Sequence, residues 1–213
     1  MPDTIIKERP IIFSAPMVRA ILEGRKTQTR RICKLNPAYV ERWKHEPKDA
    51  WASECPYGKP GDRLWVRETW REIVDDDLGH LRGAYKASPE TLRYYSEKHS
   101  DKQWRSPIHM PRWASRITLE ITDVRVQRVK EISIQDVWAE GVQRCIYRHG
   151  AKPHIHLCDD GPDGCIEENG RRYVYPPVEA FGNLWNQINV KRAAWEENPL
   201  VWALTFRRVV TNA

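Results

Sequence analysis

A long alternating stretch near the middle of the chain constrains the fold more than any other part of the sequence. From Ile117 to Val129 apolar and polar residues alternate with a period of two, which is typical of a β-strand with one buried face. The stretch exceeds the usual length of a strand, so we predict a bend or bulge near Thr122 and Asp123. Bending of this kind is how small barrels close, and the pattern therefore predicts a sheet-based fold.

Shorter signals on both sides of this strand indicate a mixture of helices and strands. Ser14 is a plausible N-cap for a short helix, and Gly24 supplies the left-handed stop that ends one. A second helix is predicted from Ser133, with an approximate capping box and a stop at Gly141. We therefore predict the α+β class. Strands are predicted at 11–13, 63–70, 82–87 and 200–209, and an amphipathic helix at 178–189 with Phe181, Leu184, Trp185 and Ile188 on its core face.

The length of 213 residues suits a single domain that spans 1–213. Two stretches do not fit the pattern of alternating elements. Residues 36–60 are rich in Trp, Pro and charge without a clear period, and residues 143–177 form a second excursion. We interpret both as insertions into the domain.

Charge and composition limit the kinds of partner that we expect for this protein. Lys plus Arg exceed Asp plus Glu by 35 to 29, which gives a net charge of +6 and favours a nucleic acid or a phosphorylated ligand. No apolar run approaches membrane-spanning length, and the polar, acidic opening of the chain does not resemble a signal peptide. Five cysteines, an odd number, fit a reducing compartment and free thiols. We expect a cytoplasmic protein, and the sequence indicates neither a cofactor nor a protein partner.

A cationic turn follows the first predicted helix. After Gly24 the chain carries Arg25, Lys26, Arg30 and Arg31 within seven positions, together with threonine hydroxyls. Backbone amides and Lys26 can converge here, so we predict an anion site or a catalytic site in which Gly24 and Arg31 bind the ligand. Arg25 and Arg30 are expected to face solvent or to steer phosphate. The alternative is that the whole run merely solvates an exposed turn.

The same turn resembles a known family. Gly24, Lys26 and Arg31 match the GxKxxExR signature of the ASCH family, which folds as PUA-like small mixed β-barrels flanked by helices. Thr29 stands where the signature has Glu. The branch of the family that is similar to bacterial N4-acetylcytidine amidohydrolases also has Lys-x-x-Thr there, and its catalytic group is a Lys, a Thr and a later Glu. The resemblance implies Lys26, Thr29 and Glu140 as the catalytic group.

The chemistry of this trio is plausible in its own right. A lysine desolvated in a pocket can act as a base, and it would activate the Thr29 hydroxyl as a nucleophile. Glu140 would orient Lys26 or carry protons to the leaving amine, and Arg31 would hold a phosphate or an oxyanion. The alternative for Glu140, which precedes a glycine near a helix end, is a surface residue or an ion-pair partner for a nearby arginine.

Two further stretches resemble ASCH proteins encoded by phages and prophages. The turn at 60–62 followed by LWVRE, and the run WRSPIHMPRWASR at 104–116, are the stretches in question. In such proteins the first forms a barrel strand near the ligand pocket. Trp faces and Arg planes also stack bases and hold phosphates. Predicted ligand-binding residues here are Arg67, Glu68, Met110, Trp113 and Arg116; the alternatives are a cross-strand ion pair and a loop that covers one end of the barrel.

The second insertion raises the question of zinc. His154 and His156 would share one side of an extended segment, and Cys158 would lie with them. Cys145 and Cys165 complete the possible ligand set. The spacings match no paired Cys-x2-Cys pattern, however, so we expect no bound metal and interpret the segment as a surface insertion.

Two classes of function remain open from the sequence. In the first, the protein is an enzyme that acts on RNA or a modified nucleoside and hydrolyses an amide of the N4-acetylcytidine type. In the second, it is a noncatalytic PUA-like module that binds RNA or a modified base. A ribonuclease is a third possibility, related to the first. Thr29 in place of Glu favours the amidohydrolase.

Overall fold

The computed structural model describes residues 6–35, 54–74, 81–88, 103–145, 154–156, 167–168, 171–172 and 177–209. Within these residues the chain is a mixture of strands and short helices, which confirms the predicted α+β class. The strands are β1 Glu8–Ile12, β2 Gln28–Ile32, β3 Arg63–Arg67, β4 Trp70–Val74, β5 Leu81–Tyr85, β6 Thr118–Arg128, β7 Gln143–Cys145, β8 His154–His156, β9 Glu167–Glu168, β10 Arg171–Arg172 and β11 Leu200–Val209. The α-helices are α1 Ala15–Leu22, α2 Ile134–Ala139 and α3 Pro177–Asn189, and single 3-10 turns span Pro107–His109, Arg112–Ala114 and Val129–Glu131.

A five-stranded mixed sheet with the order β1-β3-β6-β11-β2 forms the centre of the fold. β1 and β3 are parallel, and the other neighbours are antiparallel. Among the described residues the ladder leaves β1 and β2 as its edges, so its backbone hydrogen bonds do not close a barrel. The edges nevertheless approach each other, because Nη2 of Arg31 on β2 donates to the carbonyl of Ile12 on β1 at 2.5 Å. A side chain therefore bridges the gap in a curled sheet.

A β-bulge bends the long strand β6. Asp123 lies opposite Thr205, whereas Ile121 lies opposite Phe206, so that Thr122 is the extra residue. A bulge increases the local twist and bends the strand that carries it. The prediction of a bend near Thr122 and Asp123 is confirmed.

The sheet packs a hydrophobic core on each of its two sides. The first core includes Phe13, Val18, Leu64 and Leu204 and holds α1 against the sheet. The second joins α2 and α3 through residues such as Val137, Phe181, Trp185 and Val201. Strand β11 is buried on both faces from Leu200 to Leu204, which explains why its sequence is a continuous apolar run rather than an alternation.

The predicted helix boundaries agree with the structure to within one or two residues, with one correction to a core face. Ser133 Oγ accepts a hydrogen bond from Asp136 N at 3.1 Å and thereby caps α2. Gly24 and Gly141 have φ of 75° and 90°, as the stops of α1 and α2 require. The prediction that Ile188 is a core residue of α3 is wrong. Ile188 is 52% exposed, and it lies in the last turn of the helix.

Parts of the predicted insertions fall outside the described residues, namely 36–53 and most of 143–177. What is described of the second insertion is two antiparallel pairs, β7 with β8 and β9 with β10. Cys33 and Cys55 are buried thiols, and burial raises the pKa of both. No helix among the described residues is long and apolar enough to cross a membrane.

Candidate functional site

A pocket of about 820 Å³ opens beside the edge strand β2, and we call it the β2 pocket. Residues 29–32 of β2 form one wall, and the last two turns of α3 form another. The remaining lining comes from α1, from the turn after β2, from the segment before β3 and from the end of α2. The side chains from outside β2 are Met17, Lys34, Tyr57, Glu140, Phe181, Leu184, Trp185, Ile188, Asn189 and Arg192.

The ends of α1 and α2 are clasped together at the base of this pocket. After Gly24 ends α1, the amide of Lys26 returns to the carbonyl of Ala20 at 3.0 Å. The next residue, Thr27, donates its amide to the carbonyl of Ala139 at 2.8 Å, and Lys26 forms an isolated antiparallel bridge with Glu140. These backbone bonds bring two residues that are far apart in the sequence side by side.

Lys26 is buried and every donor on its ammonium group has a partner. Its side chain is 1% exposed, and Nζ donates to the carbonyl of Gln28 at 2.8 Å, to the carbonyl of Glu140 at 2.9 Å and to Glu140 Oε2 at 2.6 Å. Burial lowers the pKa of Lys26, and the charge of Glu140 opposes this shift only in part. The lysine is therefore held more weakly protonated than an exposed one.

Glu140 links Lys26 to a larger group of charges, and we call Lys26, Glu140, Arg30, Asp136 and Arg125 the charge network. Nη1 of Arg30 donates to Glu140 Oε1 at 3.0 Å, and its Nη2 donates to Asp136 Oδ2 at 2.8 Å. Arg125 completes the network at Asp136 Oδ1 at 3.3 Å. Burial raises the pKa of Asp136, but Arg30 and Arg125 outweigh it and hold that pKa below its usual value. Both carboxylates are therefore held by arginines.

The expectation that Arg30 faces solvent or steers phosphate is not met in this structure. Its guanidinium is almost completely buried and lies 5.8 Å from the centroid of the Phe181 ring. Because side chains alternate along β2, Arg30 points to the side of the sheet opposite the first core. That side is covered by the second core and α2, so Arg30 is enclosed there rather than solvated.

Thr29 and Arg31 reach the pocket from the other face of β2. Thr29 is 3% exposed and lines the pocket. Arg31 lies with its guanidinium carbon 5.0 Å from the centroid of Phe13, and its Nε is buried without a hydrogen-bond partner among the described residues. The structure thus brings Thr29, Arg31 and Glu140 to one pocket, with Lys26 directly behind Glu140. Gly24 lies at the clasp below.

The pocket combines positive charge with aromatic rings. Among the described residues, its lining holds four cationic side chains, Arg30, Arg31, Lys34 and Arg192, against the single carboxylate of Glu140. Tyr57, Phe181 and Trp185 supply the rings. Sequence reasoning missed Lys34, Tyr57 and Arg192, because each lies in a turn or at a helix end without a periodic signal. It assigned the α3 aromatic residues to the core, and they serve both the core and the pocket.

The other predicted ligand-binding residues form a second cluster, none of whose members is among the lining residues of the β2 pocket. Glu68 is 1% exposed and accepts two hydrogen bonds from Arg116, at 2.9 and 3.0 Å. Met110 is completely buried, its Sδ accepts from Glu68 N, and its carbonyl accepts from Arg67 Nε at 3.1 Å. Trp113 lies at the surface. Their proposed contact with a ligand stays a prediction.

Of the possible zinc ligands, three lie on described strands. The register of β7 and β8 places Cys145 opposite His154, and His156 lies opposite Gln143. Cys158 and Cys165 lie outside the described residues. In the part of the chain that is described, no cluster of three or more His, Cys, Asp or Glu side chains suits a metal ion.

Comparisons with known proteins give a likeness of fold. No protein-family model and no curated protein matches the sequence. Among solved structures, the chain is similar to an ASCH domain from Lactobacillus crispatus JV V101, with 14% identity, a TM-score of 0.39, and coverage of 95% of this chain and 79% of that one. It is also similar to a DUF984 protein from Enterococcus faecalis V583, with 11% identity, a TM-score of 0.40, and coverage of 97% and 78%. An ASCH domain is thus among the structures that the chain resembles, and the superpositions are too loose to bear on activity.

Proposed function

We propose that the β2 pocket binds a nucleoside unit of RNA, or the free modified nucleoside, and hydrolyses an acyl amide on its base. The observation that carries the proposal is the position of Glu140. Its carboxylate joins the buried Lys26 to Arg30 and stands in the wall of a basic, aromatic-lined pocket that also contains Thr29. A proton donor and acceptor pair next to a hydroxyl nucleophile is what acyl transfer needs.

The ligand class follows from the lining. A nucleoside offers a flat ring for Tyr57 or Trp185, and a nucleotide adds a phosphate for Arg31, Lys34 or Arg192. The pocket volume of about 820 Å³ lies within the range that holds small molecules and cofactors. Among the described residues that line the pocket, Glu140 carries the only negative charge, and two cations already compensate it, so an anionic ligand meets little repulsion.

The first half of the reaction is transfer of the acyl group to Thr29. Neutral Lys26 takes the proton of the Thr29 hydroxyl while Oγ attacks the amide carbonyl, and the oxyanion of the tetrahedral intermediate forms beside Arg31. Glu140 takes a proton from the Lys26 ammonium and delivers it to the amide nitrogen. The carbon–nitrogen bond then breaks, which releases the base with a free amine and leaves an ester on Thr29.

The second half regenerates the enzyme. Water attacks the ester and gives a proton to Lys26, the ester bond breaks, and the Lys26 ammonium returns that proton to Thr29 Oγ as the carboxylic acid leaves. This cycle begins from the neutral form of Lys26, and burial, which lowers the pKa of Lys26, increases the fraction in that form. The Arg31 guanidinium lines the pocket and would supply the positive charge that stabilises the oxyanion or binds a phosphate.

A noncatalytic binding module is the second candidate, and the saturation of Lys26 favours it. Its Nζ already donates to two backbone carbonyls and to a carboxylate. Such a lysine holds the ends of α1 and α2 together. The pocket then binds RNA or a modified base without catalysing a reaction. A ribonuclease would need a group that activates the ribose 2′-hydroxyl, and the same trio would have to supply it.

One set of reactions separates these candidates. The purified protein is incubated with N4-acetylcytidine and, separately, with labelled RNA, and cytidine, acetate and RNA fragments are quantified. Thr29→Val keeps the shape and removes the nucleophile, Lys26→Ala removes the base, and Thr122→Val, at the exposed bulge of β6, is the matched control. Thermal unfolding of each variant reports whether it is folded.

If the protein is an amidohydrolase, we expect the wild type and Thr122→Val to release cytidine and acetate from N4-acetylcytidine. Thr29→Val should release both only at the background rate. Binding of N4-acetylcytidine or RNA without any turnover would replace it with the binding module. RNA fragments that depend on Lys26 would indicate the ribonuclease. If the protein neither binds nor turns over any of these ligands, all three proposals for the pocket are wrong.

A further inference from the structure

A surface built of arginine and tryptophan lies outside the β2 pocket, on the face of β3 that points away from the first core. Leu64 and Val66 of β3 are buried, so Trp65 and Arg67 project from the opposite face. The guanidinium of Arg67 lies 4.7 Å from the centroid of the Trp65 ring, and that of Arg112 lies 5.9 Å from it. We call Ile12, Trp65, Arg67, Ile108, Arg112 and Trp113 the arginine–tryptophan face.

The 3-10 turns at Pro107–His109 and Arg112–Ala114 present large apolar side chains to solvent. Met110 and Ala114 are buried and anchor the two turns against Trp70. Their neighbours point outwards as a result: Ile108 is 62% exposed and Trp113 is 55% exposed. The Trp113 ring packs edge-on against Trp70, with the centroids 5.8 Å apart, and more than half of the surface of Trp113 and of Ile108 stays exposed. An exposed apolar patch rimmed by polar residues marks a candidate interaction site.

The charge of this surface selects the kind of partner. Arg63, Arg67 and Arg112 lie along it, and the acidic side chain paired with them among the described residues is Glu8, which approaches Arg63 at 4.0 Å and Arg112 at 3.1 Å. Positive charge beside exposed aromatic rings suits a chain that offers phosphates and unpaired bases. An acidic protein would use the charge but would not need the stacking surface.

A short series of contacts through β1 links this face to the β2 pocket. Arg31 lines the pocket and donates to the carbonyl of Ile12, and Ile12 is itself the register partner of Arg67. The next amide, that of Phe13, donates to the carbonyl of Arg67 at 3.0 Å. We infer that a chain extending from the pocket past Arg31 reaches Ile12 and Arg67 first and Trp65 next.

We infer that the arginine–tryptophan face binds single-stranded RNA, and that it holds the nucleotides that flank the one in the β2 pocket. Phosphates pair with Arg67 and Arg112, and a base stacks on Trp113. The inference rests on the proposed function for the identity of the nucleotide in the pocket. It adds a second, separate binding surface that makes a polynucleotide, rather than a free nucleoside, the preferred ligand.

The test compares a short ligand with a long one. Binding of uridine monophosphate and cytidine monophosphate is measured by calorimetry, and binding of a fluorescein-labelled uridine decamer by anisotropy at several salt concentrations. Trp113→Ala and Arg112→Ala change exposed residues of the face. Ile134→Ala, at an exposed position of α2, and Lys130→Ala, in the 3-10 turn that follows β6, are the matched apolar and cationic controls.

The expected result is that the wild type binds the decamer more tightly than either mononucleotide. Trp113→Ala should weaken decamer binding roughly tenfold, because stacking on one base is worth about 1–3 kcal/mol. Arg112→Ala should weaken it too and reduce the slope of log K against log salt by about one. Both variants should bind mononucleotides as the wild type does, and both controls should leave decamer binding unchanged.

Other outcomes have distinct meanings. If mononucleotides bind but the decamer binds no more tightly, or if the controls weaken it as much as Trp113→Ala does, the face is not an RNA surface and the proposed function stands. If the decamer binds through the face while no mononucleotide or nucleoside binds, the inference stands and the proposed function of the pocket fails. Binding of an acidic polypeptide instead of the decamer would overturn the inference in favour of a protein partner.

Discussion

The Nζ of Lys26 lies 2.6 Å from Oε2 of Glu140, and the backbones of the same two residues form an antiparallel bridge. The ion pair therefore sits on a clasp between the ends of α1 and α2 rather than on flexible side chains alone. Arg30 shares the same carboxylate at 3.0 Å. Because this carboxylate pairs with two buried cations, it stabilises this part of the fold, whether or not it is also catalytic.

Substitution of Glu140 should therefore destabilise the protein more than substitution of Lys26. Glu140→Gln leaves two cations in a buried site, and we expect a loss of about 3–5 kcal/mol in the free energy of unfolding. Lys26→Met leaves Glu140 with Arg30 and should cost less. Chemical denaturation measures both values. The loss in Glu140→Gln should shrink as pH rises from neutral towards 10, because a buried lysine with a lowered pKa becomes neutral there.

The control for this order is an exposed ion pair of the same chemistry. Glu120 accepts from Arg207 at 2.9 Å near the surface, and Glu120→Gln should cost less than about 1 kcal/mol. An equal cost for Glu120→Gln and Glu140→Gln, or a greater cost for Lys26→Met than for Glu140→Gln, would contradict the picture of Glu140 as the shared partner.

The fold was predictable where one pattern decides the structure. The period of β6 identified the strand, and its excess length identified the bulge at Thr122, because a strand of that length rarely stays straight. Ser133 and Gly141 bounded α2 for local reasons of capping and backbone conformation. Ile188 was misplaced because helical spacing tells which side chains share a stripe but not how far along the helix the core extends.

The site was predictable only in part, for a different reason. No local pattern joins Lys26 to Glu140, and their proximity was suggested by the family resemblance alone. Arg30 looked like a solvated cation, because the acids that hold it, Glu140 and Asp136, lie more than a hundred residues away. Arg192 in the pocket wall likewise depends on how α3 docks, which is a tertiary fact.

Asp62 should make the protein sensitive to acid. Its carboxylate accepts from the amides of Lys7 and Lys59 and from Arg9 Nη1, at 3.1, 3.2 and 3.0 Å. Burial raises its pKa, but these donors outweigh burial and hold the pKa below its usual value. A carboxyl with a lowered folded pKa contributes stability that is complete above its unfolded pKa of about 3.9 and is lost as pH falls through the folded pKa.

The corresponding measurement is the free energy of unfolding between neutral pH and about pH 2 for the wild type and Asp62→Asn. Asp62→Asn should lose about 1–3 kcal/mol at neutral pH, since it weakens three hydrogen bonds to a charged group. The difference between the two proteins should vanish at the acid end. A difference that stays constant over the whole range would mean that ionisation of Asp62 contributes nothing.

Gly141 should tolerate alanine less well than Gly61, although both have a positive φ, of 90° and 92°. A Cβ at Gly61 meets nothing within 4 Å, whereas a Cβ at Gly141 comes within 3.0 Å of the Lys26 Cβ and 3.1 Å of the Ala20 Cβ. Gly61→Ala therefore measures the backbone cost, about 1–2 kcal/mol, and Gly141→Ala adds crowding at the clasp. Urea denaturation of both variants gives the difference, and equal losses would show that the clasp relaxes freely.

Arg116→Lys should decide whether the second cluster binds a ligand or only stabilises the fold. Arg116 holds the buried Glu68 with two hydrogen bonds and lies 4.1 Å from the centroid of the Tyr85 ring. Lysine keeps the charge but cannot donate from two fixed positions, so we expect a loss of about 1–3 kcal/mol in the free energy of unfolding. Arg207→Lys, in an exposed pair, is the matched control and should cost less than about 1 kcal/mol.

If the cluster is purely structural, binding of N4-acetylcytidine and of mononucleotides by folded Arg116→Lys equals that of the wild type. Weaker binding at unchanged stability would instead support the ligand contact that the sequence predicted for Glu68 and Arg116.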